Sequence, residues 1–319
     1  MTIHLDRVRR FLSERYSPEQ VAPAGAGVWS TAFAFEHDGQ LLVARFGRHV
    51  EDYRKDERVA TLYGRRIPVP RVLEIGEAFD GYLYAISEWA SGELIDGLPA
   101  SHLRAALPSL LDTLDALRAA PPPNETGFGW WPSQGRATHD TWRDALLGIV
   151  EGQEHSRLAG WRAFLRANAE WSRIFDDAAA RLAGLADACP DGVRHPIHSD
   201  LTAGNVLIVD GTVSAVLDWG NSLVGDSLYD VAWLVFWSPW HPGLDSDFVV
   251  SETRRRCTET GVDVENFDER LRCCQLHIAL DSMAYNAFRR DDMNLRATIQ
   301  RLLPLLDAPI EKATGTTTC

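Results

Sequence analysis

Apolar residues recur at steps of three and four along much of the chain, which is the spacing of a helix with one buried face. The pattern starts near the N-terminus with Leu5, Val8, Leu12 and Tyr16, which are separated by charged residues. The same spacing predicts further helices over Ser101–Ala120, Thr141–Glu151, Glu170–Ala188, Tyr229–Trp237 and Asp268–Phe288. The chain after Gly92 is therefore expected to be mainly helical.

Three Asp-Gly pairs interrupt the chain between short β-prone runs. They are Asp38-Gly39, Asp80-Gly81 and Asp210-Gly211. Asp-Gly suits a two-residue hairpin turn because both central residues need a positive φ. The pairs predict hairpins of Thr31–Glu36 with Gln40–Phe46, Arg71–Glu77 with Tyr82–Glu88, and Val206–Val209 with Thr212–Asp218.

The order of these elements predicts the fold class. Between the first two hairpins, the charged segment Glu51–Arg65 has a helical pattern that ends before Pro68 and Pro70. We predict a bilobal α+β fold, with a small β-rich N-terminal lobe over residues 1–88 and a larger, mainly helical C-terminal lobe over residues 89–319. A cleft between two such lobes is a usual place for a ligand.

The acidic composition narrows the possible partners. Lys and Arg number 32 against 45 Asp and Glu, so the formal net charge is −13. This charge disfavours nucleic acid and anionic membranes as partners and favours cationic ligands. The sequence shows no secretory signal and no apolar run of the ~20 residues that span a membrane. We expect a cytoplasmic monomer or weak dimer whose five cysteines, lacking zinc-type spacing, stay reduced.

One short motif carries most of the chemical information. His198-Ser199-Asp200 is followed by Asn205, and Asp218 comes at the end of the third predicted hairpin. Phosphoryl transfer needs a carboxylate to orient or deprotonate the attacking hydroxyl, together with ligands that fix Mg²⁺ against the phosphates. A loop of the form H-x-D-x-x-x-x-N with a later Asp supplies both. Mg²⁺ prefers oxygen ligands and usually takes one or two carboxylates.

This pattern predicts Asp200 as the catalytic base and Asn205 and Asp218 as Mg²⁺ ligands, with His198 orienting the loop. Each residue alone has an ordinary explanation, such as a helix cap or a surface charge. Their order and spacing together favour the catalytic interpretation. Asp226 is expected to accept hydrogen bonds from the backbone of this loop, although a cap of the following helix is an equally good interpretation.

A nucleotide site is expected in the N-terminal lobe. Gly25 and Gly27, in the loop that ends at Ser30, allow backbone N–H groups to approach phosphates closely, although two glycines also suit an ordinary turn. Arg45 lies between apolar residues of a predicted strand, where an unpaired charge is costly. It is therefore the candidate to bind the α- and β-phosphates.

Two further contacts complete the predicted nucleotide site. Asp56, on the next helix, is the expected partner of Arg45, with Glu57 as a substitute. The alternative is a surface ion pair that contributes little. The adenine is expected to bond to the backbone of Ser87–Trp89, close to the predicted lobe boundary.

These residues resemble those of the aminoglycoside phosphotransferases, which have a protein-kinase-like fold. Besides the catalytic loop, the matching segments are Phe11–Tyr16, Ile67–Pro70, Thr126–Gly129, Thr141–Asp144, Gly225–Ser227 and Phe236–Trp240. The resemblance covers nearly the whole chain. It implies transfer of the γ-phosphate of ATP or GTP to a hydroxyl, with Mg²⁺, and a substrate seated on helices of the C-terminal lobe.

The resemblance also suggests which residues contact the substrate. The segments Thr141–Asp144 and Phe236–Trp240 are similar to those of the hygromycin-like branch of the family. Trp237 and Trp240 are candidates to line the acceptor pocket, with core packing as the alternative. Asp281 matches an acidic position of that branch, whereas Asn221 stands where that branch has an acidic residue.

The predicted function is O-phosphotransfer to an aminoglycoside-like, hygromycin-B-like antibiotic, which confers resistance. A second hypothesis keeps the chemistry and makes the acceptor a sugar hydroxyl of a nucleoside antibiotic of the capuramycin type. Such an acceptor needs fewer carboxylates and more stacking surface. A third hypothesis is a kinase-like binding module without catalysis, and the intact Asp200, Asn205 and Asp218 disfavour it.

Overall fold

The computed structural model describes residues 3–151, 157–190, 192–202 and 204–307. The chain divides into two compact units. The first comprises Met1–Pro123, Trp131–Gly135 and Asp200–Ser222, and the second comprises Asn124–Trp130, Arg136–Ser199 and Leu223–Cys319. The two-lobe division at residues 88 and 89 remains a prediction.

Within the described residues, the helices are α1 (Leu5–Tyr16), α2 (Val50–Tyr63), α3 (Ala100–Arg118), α4 (Trp142–Glu151), α5 (Trp161–Arg166), α6 (Ala169–Leu185), α7 (Leu228–Trp237), α8 (Ser246–Glu259), α9 (Phe267–Arg289) and α10 (Asp292–Asp307). The strands are β1 (Val21–Ala26), β2 (Ser30–His37), β3 (Gln40–Gly47), β4 (Val72–Glu77), β5 (Leu83–Glu88), β6 (Glu93–Leu94), β7 (Gly129–Trp130), β8 (His195–Ile197), β9 (Val206–Val209), β10 (Thr212–Val216) and β11 (Leu223–Gly225).

In the first unit, α1 packs on a five-stranded antiparallel sheet of order β1-β2-β3-β5-β4. Val8, Phe11 and Leu12 lie on one face of α1 and are buried in a cluster with the sheet residues Phe33 and Phe46. Burying a side chain of this size contributes about 1.5–3 kcal/mol. The amphipathic spacing of α1 thus explains how this helix is held on the sheet. A second sheet of the same unit has the order β10-β9-β6.

All three predicted hairpins are present. The φ angles of the Asp and the Gly are 50° and 73° at positions 38–39, 52° and 72° at 80–81, and 48° and 75° at 210–211. His37 pairs with Gln40, and Val209 pairs with Thr212. Each of these two turns therefore consists of the Asp and the Gly alone. The left-handed conformation that the Asp-Gly pairs predicted is therefore the one observed.

In the second unit, α9 packs against α4, α5, α6, α7 and α10 and is buried along most of its length. A small sheet of order β7-β11-β8 lies in the same unit. Gly225 ends β11 next to Trp142, and a Cβ at this position would lie 2.3 Å from the Trp142 ring. This close approach requires glycine. No helix among the described residues combines the length and apolar character needed to cross a bilayer.

The predicted helices are confirmed to within three residues at their ends, whereas several elements were missed. The missed helices are α5, α8 and α10. The prediction that Gly25 and Gly27 lie in one loop before β2 was wrong in part. Val21–Ala26 forms the edge strand β1, and only Gly27 to Trp29 form a turn. Pro23 is compatible with an edge strand, and the register shifts between Pro23 and Gly25.

Candidate active site

The β9–β10 hairpin of the first unit brings together three of the four residues of the predicted catalytic set, Asp200, Asn205 and Asp218. Asn205 directly precedes β9, and its carbonyl oxygen accepts a hydrogen bond of 2.8 Å from the backbone N–H of Leu217. Asp218 is the next residue. The Asn205 side-chain Nδ2 donates to the carbonyl oxygen of Asp200 at 2.8 Å. The hairpin pairing therefore places Asp200, Asn205 and Asp218 at one end of the same two strands.

The orientation of the two predicted metal ligands suits oxygen coordination. The Asn205 nitrogen is used within the loop, which leaves the amide oxygen as an acceptor. Asp218 has a left-handed backbone, with φ 60° and ψ 72°, and its side chain is 49% exposed. This conformation is uncommon outside glycine and is often found at functional sites.

Asn221 lies on the short 3₁₀ turn Trp219–Asn221 that follows Asp218. Its Nδ2 is 3.5 Å from Oδ2 of Asp200, at the limit of a hydrogen bond. The predicted base therefore has a neutral amide near its carboxylate where the hygromycin-like branch suggested an acidic group. An amide in this place can donate a hydrogen bond to the Asp200 carboxylate, whereas a second carboxylate would repel it.

Arg45 is held by the predicted partner. The Arg45 side chain on β3 donates to Oδ2 of Asp56 on α2, and its Nη1 lies 3.8 Å from Oδ1 of Asp218. Oδ1 of Asp56 accepts from the backbone N–H of Trp219 at 2.8 Å. Asp56 thus links the cation on the sheet to the backbone next to the predicted metal ligand. Glu57, the substitute partner, is exposed on the helix.

Lys55 is a buried residue of this site that the sequence analysis missed. It is fully buried, and its Nζ donates to the carbonyl oxygens of Gly220 and Ser222, both at 2.9 Å. The ammonium also lies 4.6 Å from the ring centroid of Trp131, a favourable cation–π distance. Lys55 and Asp56 therefore fix the backbone on both sides of Asn221.

The turn between β1 and β2 contains the predicted phosphate-binding glycines. The Gly27 N–H donates to the carbonyl oxygen of Ser30 at 2.8 Å, which closes the turn. A Cβ on Gly25 would meet nothing within 4 Å, and a Cβ on Gly27 would meet only the Ser30 carbonyl at 3.8 Å. The protein itself therefore does not require glycine at these positions, and a side chain would project into open space.

The predicted adenine-binding segment ends β5. Ser87 pairs with Val43 on β3 and with Val72 on β4. The backbone N–H of Glu88 donates to the carbonyl oxygen of Arg71 at 3.0 Å, and that of Trp89 donates to the carbonyl oxygen of Leu41 at 3.2 Å. These two N–H groups are thus engaged within the sheet region, and the adenine contact at Ser87–Trp89 stays a prediction.

In the second unit, Asp230 rather than Asp226 is the acceptor for the catalytic-loop backbone. The Asp230 carboxylate accepts from the N–H of His198 at 2.9 Å and of Ser199 at 2.8 Å. Its burial raises its pKa to about 7, and these two hydrogen bonds oppose the shift. Asp226 accepts from the Leu228 N–H at 3.0 Å at the start of α7, although the N-cap residue of this helix is Ser227.

Asp226 also forms a buried ion pair. It accepts from Nε and Nη2 of Arg270 on α9, at 2.8 and 3.0 Å. Both side chains are almost fully buried, and Arg270 also donates to the carbonyl oxygens of Asp263 and Glu265. The prediction that Asp226 binds the loop backbone was therefore wrong. The sequence motif does not show which of the two carboxylates, Asp226 or Asp230, lies close to the loop.

Of the predicted acceptor contacts, Asn221 belongs to the first unit, whereas Trp237, Trp240 and Asp281 belong to the second. The rings of Trp237 and Trp240 have centroids 5.2 Å apart, and Trp240 is 43% exposed. Asp281 lies on α9 and is partly buried, which raises its pKa to about 6. Their role as substrate contacts stays a prediction.

Arg45 on β3 is paired with Asp56 on α2, and Asp200, Asn205 and Asp218 lie together at one end of the β9–β10 hairpin. This arrangement defines a phosphotransferase of kinase-like α+β fold. A model of the Phosphotransferase enzyme family matches residues 20–263. The chain belongs to this family, and the predicted fold class and enzyme class are confirmed.

Individual relatives agree with this assignment. Hygromycin-B 4-O-kinase of Escherichia coli is 31% identical over 286 residues, which cover 86% of this chain and 77% of the relative. The structure of an aminoglycoside phosphotransferase APH(4)-Ia mutant, in ternary complex with AMP-PNP and hygromycin B, has a TM-score of 0.81 at 30% identity, covering 94% of this chain and 97% of that chain.

More distant structures share the fold. The GDP and kanamycin complex of APH(2″)-IIIa has a TM-score of 0.63 at 17% identity and covers 93% of this chain and 97% of that chain. At this identity the likeness concerns the fold alone. The family resemblance inferred from the sequence is confirmed by the nearer relatives.

Proposed function

We propose that the protein transfers the γ-phosphate of ATP or GTP to a hydroxyl of an aminoglycoside-like antibiotic and thereby confers resistance. The observation that carries the proposal is the convergence of Asp200, Asn205 and Asp218 at one end of the β9–β10 hairpin, next to Arg45. The hygromycin-B 4-O-kinase and the AMP-PNP and hygromycin B complex of APH(4)-Ia support both the substrate class and the nucleotide.

In this proposal, the Asp200 carboxylate orients the acceptor hydroxyl and takes its proton as the hydroxyl oxygen bonds to the γ-phosphorus. The bond from the γ-phosphorus to the β,γ-bridging oxygen breaks, and that oxygen leaves with ADP or GDP. Arg45 binds the phosphates, and Asp56 keeps the guanidinium in place. The Asn221 amide nitrogen, 3.5 Å from Oδ2 of Asp200, is placed to donate to this carboxylate.

The residues fit a magnesium site that is completed by phosphates. Asn205 contributes an amide oxygen and Asp218 a carboxylate, a donor set that suits Mg²⁺ with further ligands from the nucleotide. The described residues contain no cluster of three or more His, Cys, Asp or Glu that would hold a metal independently. When bound there, Mg²⁺ would neutralise charge on the transferred phosphoryl group.

The proposal is tested with the purified protein, ATP or GTP, Mg²⁺ and a panel of acceptors. We expect a phosphorylated product of hygromycin B or another aminoglycoside, identified by mass spectrometry, and a raised inhibitory concentration of that drug for cells that express the protein. Cells that express the Asp200→Asn variant are the control. The absence of any phosphorylated aminoglycoside would contradict the substrate class.

A nucleoside antibiotic remains the second candidate acceptor. The neutral Asn221 beside the predicted base and the exposed Trp240 favour a less cationic, stacking acceptor. Turnover of an uncharged nucleoside antibiotic, with no turnover of aminoglycosides, would select this candidate. Either version of the proposal places the protein in the reducing cytoplasm.

A further inference from the structure

The Tyr53 hydroxyl is a buried donor to which the described part of the chain offers no acceptor. Tyr53 lies near the start of α2 and is 2% exposed. A buried polar group without a partner lowers the stability of the fold, so each case needs an explanation. A ligand that supplies the acceptor is one such explanation.

The surroundings of Tyr53 connect it with the predicted phosphate-binding cation. The Arg45 guanidinium carbon lies 5.0 Å from the centroid of the Tyr53 ring. Burial raises the pKa of the phenol above its ordinary value; Arg45 opposes this shift, and Asp52 and Asp218 add to it. The hydroxyl therefore keeps its proton at neutral pH and acts as an uncharged donor.

The position of Gly47 shows that the hydroxyl faces the turn between β1 and β2. A Cβ on Gly47 would lie 2.7 Å from the Tyr53 hydroxyl and 2.7 Å from the carbonyl oxygen of Trp29. Unlike Gly25 and Gly27, Gly47 is thus required by the fold itself, since a side chain would occupy the place beside the hydroxyl. The hydroxyl accordingly lies between the end of β3 and the turn that carries the predicted phosphate-binding glycines.

We propose that the Tyr53 hydroxyl donates a hydrogen bond to a phosphate oxygen of the bound nucleotide, beside Arg45. This inference rests on the proposed function and adds a phosphate-binding residue that the motifs do not contain. The ligand class is the polyphosphate chain of a nucleoside di- or triphosphate. Because the hydroxyl is enclosed, this contact requires the turn that carries Trp29 to move aside when the nucleotide binds.

The test compares the wild type with Tyr53→Phe by calorimetry, with Mg²⁺ present and with adenosine, ADP and a non-hydrolysable ATP analogue as probes. The variant keeps the ring under Arg45 and removes only the hydroxyl. Because hydrogen bonds to charged groups are among the stronger ones, we expect about tenfold weaker binding of at least the triphosphate analogue. Adenosine should bind equally to both proteins, and the melting temperature should not fall.

Tyr63→Phe is the matched control. Tyr63 ends the same helix and is 1% exposed, but its hydroxyl donates to the carbonyl oxygen of Pro121 at 2.8 Å. This variant should melt at a lower temperature and bind every nucleotide as the wild type does.

Two results would overturn the inference. In the first, Tyr53→Phe binds ADP and the triphosphate analogue as tightly as the wild type. In the second, the variant loses as much affinity for adenosine, which would indicate a general distortion of the site. A wild type that binds no nucleotide would instead refute the proposed function, on which the inference rests.

Discussion

The polar groups around α2 in the first unit and the aromatic surface at the end of α7 in the second unit are held in very different ways. Lys55 and Asp56 are buried, and each bonds to the backbone of the segment after Asp218. Trp240, by contrast, is 43% exposed, and its ring centroid lies 5.2 Å from that of Trp237 in a tilted arrangement. Asp56, assigned to the phosphate site, is thus held by buried hydrogen bonds, whereas Trp240, assigned to the acceptor, is exposed to solvent.

This difference explains why the reaction type is easier to deduce from the sequence than the acceptor. Phosphoryl transfer depends on a few groups in fixed positions, and the residues assigned to them, Asp200, Asn205 and Asp218, form a recognisable motif in the sequence. An exposed aromatic surface accepts many ring systems and imposes little geometry. Variants of the two regions should therefore differ in which kinetic parameter they change.

The largest effect is expected for Asp200→Asn. The amide has the same size as the carboxylate but cannot take the acceptor proton, so kcat should fall about 10²- to 10⁴-fold. Nucleotide affinity, measured by calorimetry, should change little because the base acts on the acceptor. Asp210→Asn is the control, since asparagine tolerates the left-handed turn at that position (φ 48°). A kcat within twofold of the wild type would exclude Asp200 as the base.

The next effect is expected for Asp230→Ala. The substitution leaves the buried N–H groups of His198 and Ser199 without this acceptor, which should lower the free energy of unfolding by about 3 kcal/mol. Urea denaturation measures the change. Asp230→Asn retains one acceptor oxygen and should cost less, and Asp247→Ala, exposed on α8, should have almost no effect. Equal stability of Asp230→Ala and wild type would contradict this role.

Local sequence patterns predicted local structure and failed where long-range packing decides. The Asp-Gly turns and α1 depend on neighbouring residues, and both were predicted correctly. Asp230 and Lys55 act on backbone groups 31 and 165 residues away. Lys55 lies in a charged helix where lysine normally marks a solvated face, so no local signal indicates its burial.

Lys55→Met tests whether α2 positions the segment that carries Asn221. Methionine fills a similar volume but leaves the Gly220 and Ser222 carbonyls without this donor, and we expect a loss of about 2 kcal/mol in unfolding free energy. The kcat should fall more than the nucleotide KM rises, because Asn221 lies next to Asp200. Arg54→Met, exposed on the same helix, should leave both unchanged. A kcat equal to that of wild type would show that Lys55 only stabilises the fold.

The smallest effect is expected for Asp281→Asn. This variant tests whether Asp281 contacts the acceptor. Its pKa of about 6 in the folded protein exceeds the ordinary value of about 3.9. The folded state therefore binds the carboxyl proton of Asp281 more tightly than the unfolded state does. This protonation stabilises the folded state by about 1–2 kcal/mol after allowance for partial exposure. The stabilisation is complete below pH ~4 and is lost as the pH rises through about 6. The difference in unfolding free energy between wild type and Asp281→Asn should follow this pH range.

The same titration separates a substrate contact from a merely buried acid. If Asp281 contacts a cationic acceptor, the ionised form binds it better, so the acceptor KM should fall as the pH rises through about 6. His277, one turn earlier on α9, has its pKa lowered to about 4 by burial and is neutral over this range. Asp281→Asn should abolish the pH dependence for an aminoglycoside and leave the nucleotide KM unchanged. If the acceptor KM depended on pH in the same way in the variant and in the wild type, Asp281 would not contact the acceptor.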